Sequence, residues 1–187
     1  MNKQKITITA DRIRLRPLTE ADLPLKVKWY NDPAVRKTLV VDEVFQLAKT
    51  KNWFRTLAEN NTRMDFMVES LDGTAFGITG LIDIDQKNRT AQCYCVIGEK
   101  EYWGKGLGTE IHSVLFQWAF EILDIEKIWA HIRTNNPAIF RVVEKLGFVK
   151  EGTLRKDKIV DGQRIDLYHI GLLRDEFVPA HTRYEMR

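Results

Sequence analysis

The stretch Tyr102-Trp103-Gly104-Lys105-Gly106-Leu107-Gly108-Thr109-Glu110 has the residue types and spacing to hold an anion. Glycine lets backbone approach a ligand closely because no Cβ stands in the way. The β-rich run Thr90–Ile97 precedes the stretch. After it, Leu107, Ile111, Val114, Leu115, Trp118, Ala119 and Ile122 recur at helical spacing. The glycines therefore fall in a strand-to-helix turn, where unpaired N–H groups and the helix dipole favour phosphate or pyrophosphate. A P-loop requires G-x-x-x-x-G-K-[ST], but Lys105 precedes the last glycines. A dinucleotide fingerprint requires G-x-G-x-x-G, and the final position is Thr109 or Ile111 in the two possible frames. A glycine-rich connection without a ligand stays open on this stretch alone.

A second stretch changes the weighing: Asn135-Asn136-Pro137-Ala138-Ile139-Phe140-Arg141-Val142-Val143-Glu144-Lys145-Leu146-Gly147-Phe148. W-G-K-G-x-G followed by N-P-x-x-x-x-x-x-E-K-L-G-F resembles the GNAT superfamily of N-acetyltransferases. It is similar in particular to the branch holding ribosomal-protein N-terminal, spermidine and amino-sugar acetyltransferases. The resemblance runs from Ile13 to Phe177 and implies an α+β fold, a mostly antiparallel splayed sheet with helices on both faces. It implies acetyl-CoA as cosubstrate and an amine as acceptor. The pyrophosphate is expected on the backbone of Gly104, Lys105, Gly106, Leu107, Gly108 and Thr109, with Lys105 adding charge. Trp103 stands where family members often carry Gln or Arg, so a polar contact is lost there. Asn136 holds the pantetheine arm or caps the following helix, and both readings stay open. Phe140 and Arg141 lie near the expected path of CoA.

Amine acetylation needs a polarised carbonyl, a deprotonated amine and a stabilised thiolate. The resemblance implies a backbone N–H of Val96 or Ile97 for the carbonyl, an oxyanion device with no side-chain signature. The tyrosine that often protonates the thiolate is Val143 here, an alternative serine is Ile139, and a frequent carboxylate is Gln92. The base is left to water or to Glu69, Asp83 or Asp166. A missing base leans toward an α-amine or sugar amine, whose proton leaves more readily than that of a lysine. The acceptor is expected between the aromatic first half, at Trp29, Tyr30, Asn31 and Asp32, and the closing hairpin, at Asp166, Tyr168 and His169. Acceptors of the branch include small-molecule amines and protein N-termini.

These residues need elements to position them. Ile13–Leu18 alternates as a strand, and Thr19 opens a helix that runs to about Trp29. Asn31-Asp32-Pro33 breaks that helix and starts a short one. Another helix lies within 44–59. Strands at 63–69, 75–84 and 90–97 form a meander with a turn at Asp72-Gly73. A strand at 127–133, a helix at 137–145 ended by Gly147, and a hairpin around Asp161-Gly162 complete the chain.

The 187 residues, 44% hydrophobic and 29% charged, fit one domain spanning 1–187. A net charge of +3, with basic residues scattered among 26 acidic ones, argues against a nucleic-acid partner. No apolar run reaches a membrane span, and the start lacks a secretory signal, so a cytoplasmic protein is expected. Cys93 and Cys95 read as packed strand residues. With His112, His131, His169 and His181 dispersed, no metal site is expected. A homodimer is left open. The competing readings are a non-catalytic acyl-CoA-binding or regulatory module, motivated by Val143, Ile139 and Gln92, and a nucleotide-binding oxidoreductase.

Overall fold

The computed structural model describes residues 6–57, 59–180 and 184–186; His181 lies outside them. Among the described residues nine strands form one sheet: β1 (Ile8–Thr9), β2 (Ile13–Pro17), β3 (Met64–Ser70), β4 (Ala75–Asp85), β5 (Thr90–Ile97), β6 (Lys127–Arg133), β7 (Val149–Val160), β8 (Gln163–Leu173) and β9 (Glu185–Met186). Their spatial order is β7-β8-β6-β5-β4-β3-β2-β1-β9. The helices are α1 (Leu23–Asn31), α2 (Pro33–Arg36), α3 (Leu47–Thr56), α4 (Leu107–Glu121) and α5 (Pro137–Leu146). This is the mixed, mostly antiparallel α+β architecture that the sequence leads one to expect.

One parallel junction among the described residues, between β5 and β6, organises everything else. Pairing there covers only Thr90–Gln92 against Lys127–Trp129. Beyond it β5 continues along β4, and β6 continues along β8. The sheet therefore splits, and each half keeps its own ladder.

Alternation along the strands feeds two cores. On one face Cys93, Ile128 and Ala130 pack with Leu107, Ile111, Val114 and Trp118 of α4. On the other, Met67, Ile78 and Val96 pack with Leu23, Trp29 and Tyr30 of α1. Trp29 and Trp118 are fully buried, one in each core. Burying a large apolar side chain is worth about 1.5–3 kcal/mol, so both helical layers are anchored to the split sheet rather than to each other.

Two strands escape the sequence reading. β1 pairs with β2, and β9 pairs with β1. Each has two residues, too few to show alternation. Thr19 opens a 3-10 turn, Glu20–Asp22, instead of α1 itself. The Asp22 carboxylate accepts from the Thr19 N–H and hydroxyl, each at 2.8 Å, and Pro24 then sits in the first turn of α1. No helix of the described residues is long and apolar enough to cross a membrane.

Candidate active site

The glycine turn lies where β5 feeds α4. Gly104 and Gly106 have φ of +72° and +76°, a region where a side chain is strained. A Cβ at Gly104 would meet nothing within 4 Å, and one at Gly106 only the tip of Arg12 at 4.0 Å. The surface over the turn is thus open backbone at a helix N-terminus, which fits a pyrophosphate. Gly108 is already helical, and a Cβ there would lie 3.6 Å from Val142 and 4.0 Å from Ile97. Leu107 points inward, as its buried place in the α4 core shows. Thr109 is buried too, whereas Lys105 stays exposed with its ammonium 5.6 Å from the Tyr102 ring. Trp103 donates its indole N–H to the Ile97 carbonyl at 2.8 Å and so ties the turn to the end of β5.

Arg12, just before β2, holds this turn from outside. Its backbone and guanidinium donate to the buried Glu110 carboxylate, and Nη1 donates to the Lys105 carbonyl at 3.0 Å. The sequence does not reveal this pair, because Arg12 stands 98 residues before Glu110 and belongs to no motif.

The Gly98 N–H donates to the Phe76 carbonyl of β4 at 2.8 Å. Alternation then commits Val96 to β4 and turns the Ile97 N–H toward the split. Of the two backbone donors expected from sequence, only Ile97 has its N–H on the open side. A Cβ on Gly98 would lie 2.0 Å from the Trp29 ring, so Gly98 lets α1 seat against this end of β5.

A cavity of about 610 Å³ fills the split. Asn136, Ile139, Val142, Val143 and His112 line one end, beside α4 and α5. Lys26, Tyr30, Phe45, Trp53 and Arg63 line the other, with Gln92, Tyr94, Cys95 and Val96 between. Asn136 caps α5 through the Ile139 N–H at 3.4 Å and still faces the cavity. Phe140 and Arg141 do not line it: Phe140 packs edge-on against Tyr168 at 5.6 Å, and Arg141 is exposed. Val143, Ile139 and Gln92, the positions lacking a familiar acid or base, do face it.

Of the acceptor residues expected from sequence, only Tyr30 lines the cavity, and the others lie outside its lining. Trp29 is buried core and donates to Glu99 at 2.8 Å. Asn31 holds the Phe45 backbone through both its amide atoms. Asp32 caps α2 and pairs with Lys100 at 2.7 Å. Asp166 accepts the Lys156 N–H inside the closing hairpin, and Tyr168 lies under the Lys150 ammonium at 3.6 Å. Each has a partner of its own that sequence spacing does not reveal.

The aromatic end holds unexpected charge. Lys26 is 4% exposed, its ammonium 4.0 Å from the Tyr30 ring and 4.9 Å from Trp53, and burial pushes its pKa down to about 8. Arg63 lies 5.0 Å from the Trp53 ring and spends Nε and Nη2 on Asp65 at 2.8 Å each. The Tyr94 hydroxyl also donates to Asp65.

Neither Glu69 nor Asp83 lines the cavity as a base. Glu69 is tied to Arg14 and Arg16, and Asp83 points to solvent. Instead a chain of rings enters from β6 and β8. His131 Nε2 is 2.9 Å from His169 Nδ1, and His169 Nε2 is 3.2 Å from Glu151. Their register partners them directly across the ladder. His131 lines the cavity, and its pKa is lowered by burial and by His169. Burial pushes the Cys93 and Cys95 thiols up to about 12, so neither supplies a thiolate near neutrality.

Comparison with known proteins agrees with this geometry. Residues 12–149 match the acetyltransferase (GNAT) domain family. The uncharacterized prophage-derived N-acetyltransferase YokL of Bacillus subtilis (strain 168) is 34% identical over 132 residues, 70% of this chain and 73% of its own. The spermidine N(1)-acetyltransferase of Escherichia coli (strain K12) is 24% identical over 173 residues, 92% of each chain. The crystal structure of a Vibrio cholerae spermidine N-acetyltransferase with CoA and spermine has a TM-score of 0.83 at 24% identity, covering 88% of this chain and 96% of that one. The chain belongs to the GNAT acetyltransferase family.

Proposed function

We propose that this chain, an acetyl-CoA-dependent N-acetyltransferase by family, passes the acetyl group directly to an amine that enters from the α1–α3 side of the split sheet. The observation that carries the reading is the continuous cavity. It joins the α4–α5 end, at His112, Asn136 and Val143, to the box around Tyr30, passing the unpaired edge of β5.

The residues at the α4–α5 end fit the cosubstrate. The N-terminal N–H groups of α4 and the exposed Lys105 would hold its pyrophosphate, and Asn136 would hold the arm. Bound there, acetyl-CoA supplies the activated acyl group. The Ile97 N–H acts as donor to the acyl oxygen, where charge develops. Val143 and Ile139 offer no proton to the departing thiolate; a thiol of pKa about 8.5 leaves tolerably without one. The reaction forms an N–C bond, breaks the C–S bond and releases one proton from the amine. His131 is the acceptor of that proton. Its Nε2–H donates to His169 Nδ1, His169 Nε2–H donates to Glu151, and Nδ1 of His131 is left to take the proton. The depressed pKa of His131 keeps it neutral for the task.

The reading goes with a cytoplasmic enzyme whose acceptor is a small amine. It is tested by incubating the protein with acetyl-CoA and a panel of amino acids, amino sugars, polyamines and N-terminal peptides, and by following free thiol. Amine-dependent thiol release supports it. CoA binding without release for any amine favours a binding module and overturns it.

A further inference from the structure

The two acetyltransferases named above with a stated acceptor act on spermidine, a polycation, and such a ligand calls for carboxylates. The cavity of this chain is charged the other way. Lys26, Lys49, Arg63 and Arg133 line it, against one lining carboxylate, Glu43 at the exposed rim. Asp65, behind Arg63, is already satisfied by that guanidinium and by Tyr94.

Two of the cations lack what buried charge normally requires. Lys26 is almost wholly buried, yet among the described residues it makes no ion pair and no hydrogen bond. Its ammonium touches only the faces of Tyr30, Trp53 and Phe45. A buried ammonium with no direct ion pair is costly, and the nearby carboxylates act on it only at a distance, Asp65 being spent on Arg63 and Tyr94. Arg133 stands at the end of β6, with Nη1 on the Lys37 and Leu39 carbonyls. Its Nε is buried with no partner. Buried donors are nearly always satisfied, so an orphan in a cavity wall points to a ligand acceptor.

We infer that the acceptor carries an anionic group, a carboxylate or phosphate, beside the amine to be acetylated, and that Lys26 and Arg133 receive it. The inference rests on the acceptor cavity assigned above. The anion supplies the direct ion-pair partner that Lys26 lacks and the acceptor atom that Arg133 Nε lacks. The aromatic walls Tyr30, Phe45 and Trp53 exclude water and strengthen the ion pair. The same charges repel a polyamine, so discrimination comes from both attraction and repulsion.

The test uses matched acceptors: glucosamine 6-phosphate against glucosamine, glutamate against glutamine, and spermidine. Binding of each to the CoA-loaded protein is measured by calorimetry, and thiol release is measured separately. The anionic member of at least one pair is expected to bind at least tenfold more tightly than its neutral partner, and spermidine more weakly than either. A charge-assisted hydrogen bond is worth about 1.5–3 kcal/mol, or roughly ten- to a hundredfold in affinity, so Lys26→Met should remove most of that preference. Lys26→Met also removes an uncompensated buried charge, and retained CoA affinity checks its fold. Lys49→Gln, at an exposed position, should weaken the preference more mildly. Equal binding of paired members, tighter binding of spermidine, or an intact preference in Lys26→Met overturns the inference. Absence of thiol release with normal anion binding would strike at the acetyltransfer reading instead.

Discussion

Arg12 and Glu110 form a clamp on the glycine turn. The Arg12 guanidinium lies 2.7 Å from the Glu110 carboxylate, whose side chain has no exposed surface, while Arg12 itself is half exposed. The same guanidinium holds the Lys105 carbonyl. The loop before β2 thereby sets the position of backbone 93 residues later. Arg12→Ala leaves a buried carboxylate unpaired. Breaking one side of a buried pair costs about 3–5 kcal/mol, and the exposure of Arg12 brings the expected loss down to about 1–3 kcal/mol. Acetyl-CoA affinity should fall at least tenfold. Glu110→Gln, which keeps hydrogen-bonding shape, should do less harm in both chemical denaturation and calorimetry. Equal affinity in Arg12→Ala and wild type would show that the clamp does not position the turn.

The glycines of the turn separate by backbone. Gly106→Ala places a Cβ at φ +76°, which costs about 1–2 kcal/mol whatever binds. Gly108→Ala sits in helical backbone, where alanine is favoured over glycine by about 1 kcal/mol. Its Cβ would reach toward Val142 and Ile97, at the cavity wall. Gly108→Ala should therefore raise or preserve Tm, and Gly108→Val should lose CoA affinity while circular dichroism remains native. A folded Gly108→Val that binds CoA as well as wild type removes this position from the cosubstrate path.

Much of the architecture was readable because β5, β6 and β8 each carry full-length alternation or a clear turn. Asp161-Gly162, with φ of +50° and +74°, closes its hairpin as that dipeptide predicts. The glycine turn and the Asn136 cap were readable for the same reason: their function depends on contiguous residues. The acceptor end was not. Lys26 is one lysine in a helix whose pattern is weakly amphipathic, and its burial is created by Phe45 and Trp53 arriving from other elements. His131 and His169 are 38 residues apart, and only the β6–β8 register makes them neighbours. Asp32 and Asp166 have the right chemistry for an ammonium, but capping a helix and closing a hairpin use it first.

Transfer should proceed without an acetylated cysteine. Both thiols are held far above neutrality by burial, and among the described residues no histidine hydrogen bond reaches either. Cys93→Ala/Cys95→Ala should keep turnover within a few-fold and lose about 1–2 kcal/mol of stability from the buried Cys93. Mass spectrometry of wild-type protein after acetyl-CoA alone should show no cysteine adduct. A stoichiometric acetyl on either cysteine, together with an inactive double variant, would replace direct transfer by a two-step route.

The His131–His169–Glu151 chain makes a prediction that a structural role would not. As base, His131 must be neutral, so kcat/KM should fall on the acid side as pH drops through its depressed pKa, below the ordinary 6.5. Above that the rate should rise further as the amine loses its own proton. General-base assistance typically contributes 10²–10⁴-fold, so His131→Gln should lower kcat by about that range and abolish the acid limb while leaving CoA affinity intact. Glu151→Gln should cut the rate more mildly and shift the limb to lower pH, because the anion stabilises the cationic relay. Gly171→Ala offers an independent handle. A Cβ there would lie 2.5 Å from the Glu151 carboxylate, the end of a flexible side chain that can swing aside without cost to the ladder. The variant should lose the Glu151 contacts to His169 and to Lys127 together, cost at most about 1 kcal/mol for that part-exposed pair, and reproduce the Glu151→Gln profile. An unchanged rate and an unchanged acid limb in His131→Gln would exclude the relay and return the amine proton to solvent.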